Sequence, residues 1–476
     1  MKKTIKKLTI GLALCTCLTN MVACNNDNKD LPLFIKISDT NPTYVECGNK
    51  IQLEAEVQND KDDKGISWSI DDEMLATIDQ NGVLTGISQG RVAVTLTSNS
   101  NPDTKEVIYV DVKYNTLITV NITSSVTSMK VGEEATLKAT INGDSTNSGI
   151  GWQVNNDALA TITSDGKLKI LQQGREGKVI VNAFSLINPN AVSDNLEIEI
   201  KPNNKGETML ANEVETAGQN NEYKLIYKDD FNTKRLNKNS WEVMIGDGSK
   251  YGVSRWGNQE EQFYREDNLK FNDGSLVITA KREDGRNDTK NLNYTSGRIR
   301  SAKKVAYKYG RIEARLACPT GYGLWPAFWM LPENSTPYGA WPNSGEIDIM
   351  EAKGRLPEVI DGTIHFAKPS GSHTWENGTY LFPQGENITQ YHVYAVEWEE
   401  REIRWYVDGN LYFTANADEN SWTMKDGTDE FPAPFDQEFH ILFNMAVGGN
   451  YDGFTMPSMS DLPARYKIDY VKWFQK

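Results

Sequence analysis

Apolar and polar residues alternate in short runs along most of the chain. Gln52-Leu-Glu-Ala-Glu-Val, Ile66-Ser-Trp-Ser-Ile, Leu75-Ala-Thr-Ile, Val83-Leu-Thr-Gly and Val92-Ala-Val-Thr-Leu are each closed off by Gly, Asn or Asp. A period of two with such turn punctuation predicts short half-buried strands packed as a small sandwich. The pattern continues, with longer runs, after Tyr223. Examples are Leu276-Val-Ile-Thr-Ala, Gly310-Arg-Ile-Glu-Ala-Arg-Leu, Gly362-Thr-Ile-His-Phe, His392-Val-Tyr-Ala-Val-Glu-Trp, His440-Ile-Leu-Phe-Asn-Met-Ala-Val and Ile468-Asp-Tyr-Val-Lys-Trp-Phe. No stretch sustains an apolar period of 3.6, so an all-β chain is expected. Small sandwiches come first, followed by one large antiparallel jelly-roll sandwich whose curved sheet can form an open cleft.

The first part of the chain repeats itself. Gly48, Leu53, Ala55, Trp68, Ala76, Gly82 and Gly90 recur as Gly132, Leu137, Ala139, Trp152, Ala160, Gly166 and Gly174, each pair 84 positions apart. Two copies of one module are therefore expected over residues 31–114 and 115–201. Gly86-Ile-Ser88-Gln-Gly90 matches a hydrolase-type G-x-S-x-G, but no helix pattern follows it and the second copy lacks the serine, so it is read as a turn. Residues 202–222 are polar and aperiodic, which predicts a linker, and the two modules are expected to act as a stalk.

Within 223–476, which holds ten of the twelve tryptophans, one strand carries unusual chemistry: Gly345-Glu346-Ile-Asp348-Ile-Met-Glu351. On a regular strand Glu346 and Asp348 share a face and Glu351 has the opposite parity. A β-bulge near Ile349 or Met350 would turn Glu351 to the same face. In Leu324-Trp-Pro-Ala-Phe-Trp-Met-Leu the parity puts Trp325 and Trp329 on one side and Phe328 on the other. Aromatic platforms of this kind stack on sugar rings, so Trp256, Trp325, Trp329 and Trp341 are expected to line a groove, and Trp405 and Trp473 to lie in the core.

The net charge of −15 argues against nucleic-acid binding and weakly against sulfated polysaccharides, and leaves neutral ligands open. Four early lysines, an apolar run from Leu8 to Leu18 and Met21-Val22-Ala23-Cys24 resemble the signal and lipobox of bacterial lipoproteins. That resemblance implies a signal peptide over 1–23, a lipid on Cys24 and a polar tether over 24–30. It places the protein at the outer membrane or cell surface of a Gram-negative bacterium, meeting membrane only through the anchor. Cys47 and Cys318 then remain, in different modules, so no disulfide framework is expected.

The two repeats, with their Trp, Ala-Thr-Ile and Asp/Asn-Gly pattern, resemble bacterial Ig-like domains of group 2. The acidic strand resembles the signature of glycoside hydrolase family 16 in its bulged, laminarinase-like form. It is accompanied by Trp256-Gly-Asn-Gln-Glu-Glu-Gln-Phe-Tyr, Tyr294-Thr-Ser-Gly-Arg298-Ile, Gly362-Thr-Ile-His365-Phe and Ala446-Val-Gly-Gly-Asn. The resemblance implies a concanavalin-A-like jelly roll and a retaining endo-β-1,3(4)-glucanase, monomeric and acting on a neutral β-glucan. Glu346 would be the nucleophile, Glu351 the acid/base and Asp348 their partner. Asn258, Arg298, Trp325, Trp329, Trp341 and His365 would contact sugar. Catalysis would need no cofactor. A structural calcium ion, as the family often holds, would use Asp230, Asp469 and a carbonyl near Gly274. The run after His365, Phe366-Ala-Lys-Pro-Ser-Gly-Ser-His-Thr-Trp375, departs from the family pattern, with Trp375 a candidate platform. Two other readings stay open: the same mechanism on an algal galactan or another β-glycan, and a non-catalytic surface glycan-binding lipoprotein.

Overall fold

A computed structural model of the protein describes residues 32–62, 64–171, 177–201, 215–284, 288–290, 292–368, 371–417, 422 and 433–476. The expected signal, tether and Cys24 lie outside the described residues. The chain is all-β: helical structure among the described residues is limited to 3-10 turns such as Ser254–Gly257.

The repeat seen in the sequence is a repeat of topology. In the first copy Phe34–Ile37 pairs with Ala55–Gln58, a four-stranded sheet joins Tyr44–Glu46, Lys105–Lys113, Gly90–Ser98 and Ile66–Ile70, and a three-stranded sheet joins Lys50–Gln52, Val83–Gly86 and Ala76–Ile78. The second copy repeats this order strand for strand, from Thr119–Ile122 to Leu196–Lys201. Trp68 and Trp152 are buried in the two cores. Gly82 and Gly166 recur because each holds a positive φ beside its tryptophan. A Cβ there would fall 2.6 Å from the Leu53 carbonyl and 2.7 Å from that of Leu137, so neither turn tolerates a side chain. Ser88 sits in a turn and hydrogen-bonds Tyr114, 3.2 Å away, with no helix behind it. Cys47 and Cys318 are buried free thiols.

The two modules do not stand off as a stalk. Asp72 of the first is buried and pairs with Lys281 (2.8 Å) and Arg465 (3.4 Å) of the C-terminal domain. The second is joined by Asn237 Nδ2 donating to the Val154 carbonyl (2.8 Å) and Asn156 Nδ2 donating to that of Ile226 (3.0 Å). Lone polar residues far apart in sequence make these contacts, and a pattern reading has no access to them. Order also begins inside the stretch read as linker, since Thr216–Ala217 forms a strand against Tyr223–Asp229.

The C-terminal domain packs two large sheets, of eleven and eight strands among the described residues, around one apolar core. The eight-stranded sheet carries the acids. Its strands used below are β1 (Arg298–Arg300), β2 (Leu324–Pro332), β3 (Glu346–Ala352), β4 (Val359–Ala367), β5 (His373–Leu381) and β6 (Phe439–Val447). They lie in the order β1-β6-β2-β3-β4-β5, every neighbouring pair antiparallel. The side of this sheet facing the core is closed by Phe328, Ile347, Ile349, Met350, Ile364 and Phe443. Phe328 stacks on its register partner Phe443 with centroids 4.7 Å apart. Trp405 and Trp473 are fully buried, as expected.

Candidate active site

β3 begins after Gly345, whose φ of +82° turns the chain into the sheet. Its pairing with β2 slips by one residue: Met350 faces Phe328, but Asp348 faces Trp329, leaving Ile349 extra. Against β4 the same slip separates Asp348↔Thr363 from Glu351↔Asp361. This is the bulge that the acid spacing demanded, and its effect on parity is visible in the packing. Ile349 and Met350, neighbours in sequence, both enter the core, so Glu346, Asp348 and Glu351 are left on the opposite face.

A bulge leaves backbone groups without ladder partners, and a buried one must be satisfied elsewhere. Here Trp405, from the other sheet, donates its Nε1–H to the Asp348 carbonyl at 2.8 Å. Gly362 on β4 makes room for it, since a Cβ at that position would come 2.4 Å from the indole. Trp405 is thus a core residue that also holds the catalytic strand, a role that nothing in its alternating segment signalled.

The three carboxyls are held at the floor of the groove with few solvent partners. Glu346 lies beside the Trp341 indole and the Asp348 carboxyl, and two carboxyls this close disfavour ionisation of both at once. Burial first, then the neighbouring Asp348, pushes Glu346 up to about 8. Burial raises Asp348 to about 7. Glu351 is raised well above its ordinary value by burial and by the charges of Asp348 and Glu346. Trp325 opposes this by donating Nε1–H to Glu351 Oε1 at 3.0 Å. Burial and mutual repulsion therefore favour the protonated forms of these carboxyls, and the cluster titrates as a group.

The expected sugar-contacting residues divide into two sets. On the β1–β6 side, the Arg298 guanidinium lies between the rings of Trp256 and Trp329, 4.5 and 4.8 Å from their centroids. Trp329 donates its Nε1–H to Asn444 Oδ1 at 2.7 Å. Asn258 donates to Glu260 Oε1 at 3.3 Å. On the β4–β5 side, His365 Nε2 is 3.3 Å from Asp348 Oδ2, and Trp341 stands half exposed 6.2 Å from the His365 ring. Two expectations change. Trp256 is no open platform: it is buried against Met244, Tyr264 and Leu442, in a turn where its own φ is +51°. Trp325 is also buried, stacked on Tyr451 at 4.7 Å, and its polar edge serves Glu351.

Comparison with known proteins gives the same picture. The family model described as "Glycosyl hydrolases family 16" matches residues 257–472, and that of "Bacterial Ig-like domain (group 2)" matches residues 34–108. The chain is 36% identical over 272 residues to a protein named "Beta-glucanase" from Rhodothermus marinus, covering 53% of this chain and 85% of that one. The chain belongs to glycosyl hydrolases family 16. It is also 38% identical over 260 residues to "Glucan endo-1,3-beta-glucosidase" of Cryptopygus antarcticus (52% of this chain, 90% of that protein). With "Glucan endo-1,3-beta-glucosidase A1" of Niallia circulans it shares 38% identity over 323 residues, or 64% of this chain, and spans 44% of that protein's length.

Within this family 16 domain several residues that serve the site gave no signal of their own in the sequence. Glu260 is buried near Arg298 and accepts from Gln262 Nε2 (2.6 Å) and Tyr264 Oη (3.1 Å). Burial raises its carboxyl, and the Arg298 charge opposes this. Tyr451, against Trp325, donates to Asp361 at 2.8 Å. His373 lies beside His365. Of the calcium candidates, Asp230 is paired with Lys228 at 2.9 Å and Asp469 with Arg315 at 2.6 Å. Among the described residues, the tightest group of metal-type donors is Glu346, Asp348 and His365. Two of its three members lie on the bulged strand and the third faces them from β4.

Proposed function

We propose that the protein is a retaining endo-β-glucanase that hydrolyses internal β-1,3 linkages of laminarin-type glucan, or β-1,3/1,4 linkages of mixed glucan. One observation carries the reading: the bulge at Ile349 that brings Glu346, Asp348 and Glu351 to one face of a groove flanked by indoles. Glu346 attacks the anomeric carbon while Glu351 passes its proton to the departing glycosidic oxygen, giving a glycosyl-enzyme ester. Glu351, now a carboxylate, then takes a proton from water, which attacks the same carbon and releases Glu346. Such pairs work at a separation of ~5–5.5 Å, too close for an intervening water in the first step. Glu346 must shed its proton before it attacks, and Asp348, coupled to it on the same face, is the group placed to take it. Glu351 stays protonated because burial disfavours its charge. No step passes through a metal ion.

The names of the relatives support glucan as the substrate. We read residues 31–114 and 115–201 as Ig-like modules and 223–476 as the catalytic domain. The chain is proposed to be a monomer carried at the outer membrane or cell surface by a lipid on Cys24. The test is incubation of the purified protein with laminarin, barley β-glucan, lichenan, xyloglucan and agarose, followed by analysis of the oligosaccharides. Release from laminarin or the mixed-linkage glucans is expected, with the first-formed reducing end in the β configuration by proton NMR. Release from agarose alone, or an inverted product, overturns the reading. No release from any of these polymers favours glycan binding without cleavage.

A further inference from the structure

β5 carries a second histidine that the reaction outlined above does not use. The β4–β5 register pairs Ala367 with His373 and His365 with Trp375, which makes His365 and His373 diagonal neighbours on one face. Their rings stack at 5.1 Å and 27°, and His365 Nδ1 lies 2.9 Å from His373 Nε2. Trp341 covers His373 at 4.7 Å, and Trp375 flanks it at 5.6 Å. On the other edge of the His365 ring, Nε2 lies 3.3 Å from Asp348 Oδ2, a buried oxygen that has no hydrogen-bond partner as placed.

A neutral imidazole has one N–H and one lone pair, so the bond made at one nitrogen decides what the other can do. We propose that His373 is a positioning residue of the active site: its Nε2–H donates to His365 Nδ1 and thereby fixes the His365 proton on Nε2, facing Asp348. In the opposite tautomer the His365 lone pair would face the Asp348 carboxyl, and a buried acceptor would be left with no donor, the costly outcome for a polar group out of water. The arrangement runs His373 Nε2–H to His365 Nδ1, then His365 Nε2–H to Asp348, which lies beside Glu346. The titratable groups facing the two rings are Glu346, Asp348 and Glu351 from β3, and each other across β4 and β5. Burial, then the proximity of His365, holds His373 below its ordinary value, which favours the neutral ring.

The kinetic consequence rests on the glucanase reading; the tautomer does not. Two substitutions separate a donor from a stacking ring. His373→Gln keeps an N–H near the position of Nε2 but loses the aromatic face, and His373→Phe keeps the face but loses the donor. Nitrogen-15 NMR of labelled protein is expected to show His365 protonated at Nε2 in the wild type and in His373→Gln, and a mixture of tautomers in His373→Phe. A wild-type His365 protonated at Nδ1 overturns the proposal whatever the activity proves to be. On laminarin, His373→Phe is expected to move the acid limb of kcat/KM to higher pH by about one unit, because Asp348 loses a donor that favours its ionised form. His373→Gln is expected to keep the wild-type limb and to raise KM. If His373→Phe keeps the wild-type limb, or both variants shift equally, His373 is a stacking surface only. Since His373 is exposed on an edge strand, both variants should fold, and circular dichroism checks it.

Discussion

On the β1–β6 side of the acids, Arg298 is buried between two indoles, one of which is itself packed against Met244, Tyr264 and Leu442. On the β4–β5 side, Trp341 and Trp375 are 50% and 57% exposed, and the strand that carries Trp375 alternates exposed and half-buried residues along its whole length. The first arm is an extension of the core, where every group is fixed by packing and hydrogen bonds. The second is an edge strand, and what it presents can change without disturbing the fold. Substitutions in the first arm should therefore cost stability together with function, and substitutions in the second should change substrate affinity alone. The acids between them are the reference against which both arms are measured.

The largest effect belongs to that reference. Glu351→Gln removes the proton donor, and turnover on laminarin should fall by roughly 10³-fold or more, because general acid help of ~10²–10⁴ is lost and the second step loses its base. Glu346→Gln should be at least as severe. The same Glu351→Gln change should stabilise the protein as pH rises. A buried acid with a raised value holds its proton in the folded chain after the unfolded chain has released it. Stability therefore declines from the unfolded value up through the folded one. Gln cannot ionise and escapes that decline, so its Tm advantage over the wild type should widen as pH rises above the ordinary carboxylate range. A constant gap would mean that Glu351 ionises freely in the fold.

In the first arm, Arg298→Met should lower both activity and stability. It removes the cation between Trp256 and Trp329 and leaves Glu260 buried without the charge that opposes its raised value. Loss of a desolvated cation–π contact costs ~2 kcal/mol, readable as a shift of the denaturation midpoint with unchanged slope. A stable Arg298→Met enzyme with only a higher KM would erase the distinction between the arms. Trp325→Phe is a milder test. The indole N–H favours the ionised form of Glu351, so its loss should raise that acid further and move the basic limb of the pH profile upward by up to about one unit. Activity is lost as pH rises through the value of the acid, so the limb must move up; a downward move contradicts the bond.

What the sequence disclosed follows the same division between local and long-range. The alternation of Trp325, Phe328 and Trp329 and the odd parity of Glu351 are local properties of single strands, and the sheet reproduces both. The 84-residue offset disclosed a repeated topology because the same turns recur around the same tryptophans. Trp256 was misread because it sits at positive φ in a turn, where strand parity means nothing. The Trp405 bond to Asp348 joins residues 57 positions apart, and the docking of the Ig-like modules rests on Asp72 meeting Lys281 and Arg465. No period within a segment carries such pairings. Glu260 was missed for a different reason: a single glutamate is ordinarily solvated, and only its burial makes it unusual.

The smallest effect tests the second arm. Trp375 faces His365 across the β4–β5 pair and touches His373 with its ring, while more than half of its surface is open. An indole left this exposed gains little from burial, so Trp375→Ala should change stability by less than ~0.5 kcal/mol. If the ring stacks on a sugar in the complex, its removal costs ~0.5–1.5 kcal/mol of binding, which is a rise in KM of roughly 2–10-fold at unchanged kcat. Kinetics on laminarin beside a thermal melt read both quantities from one preparation. A fall in Tm without a change in KM would mean that Trp375 packs the edge of the sheet, and the two arms would then differ in exposure but not in purpose. A rise in KM on laminarin with none on barley β-glucan would place linkage discrimination on β5.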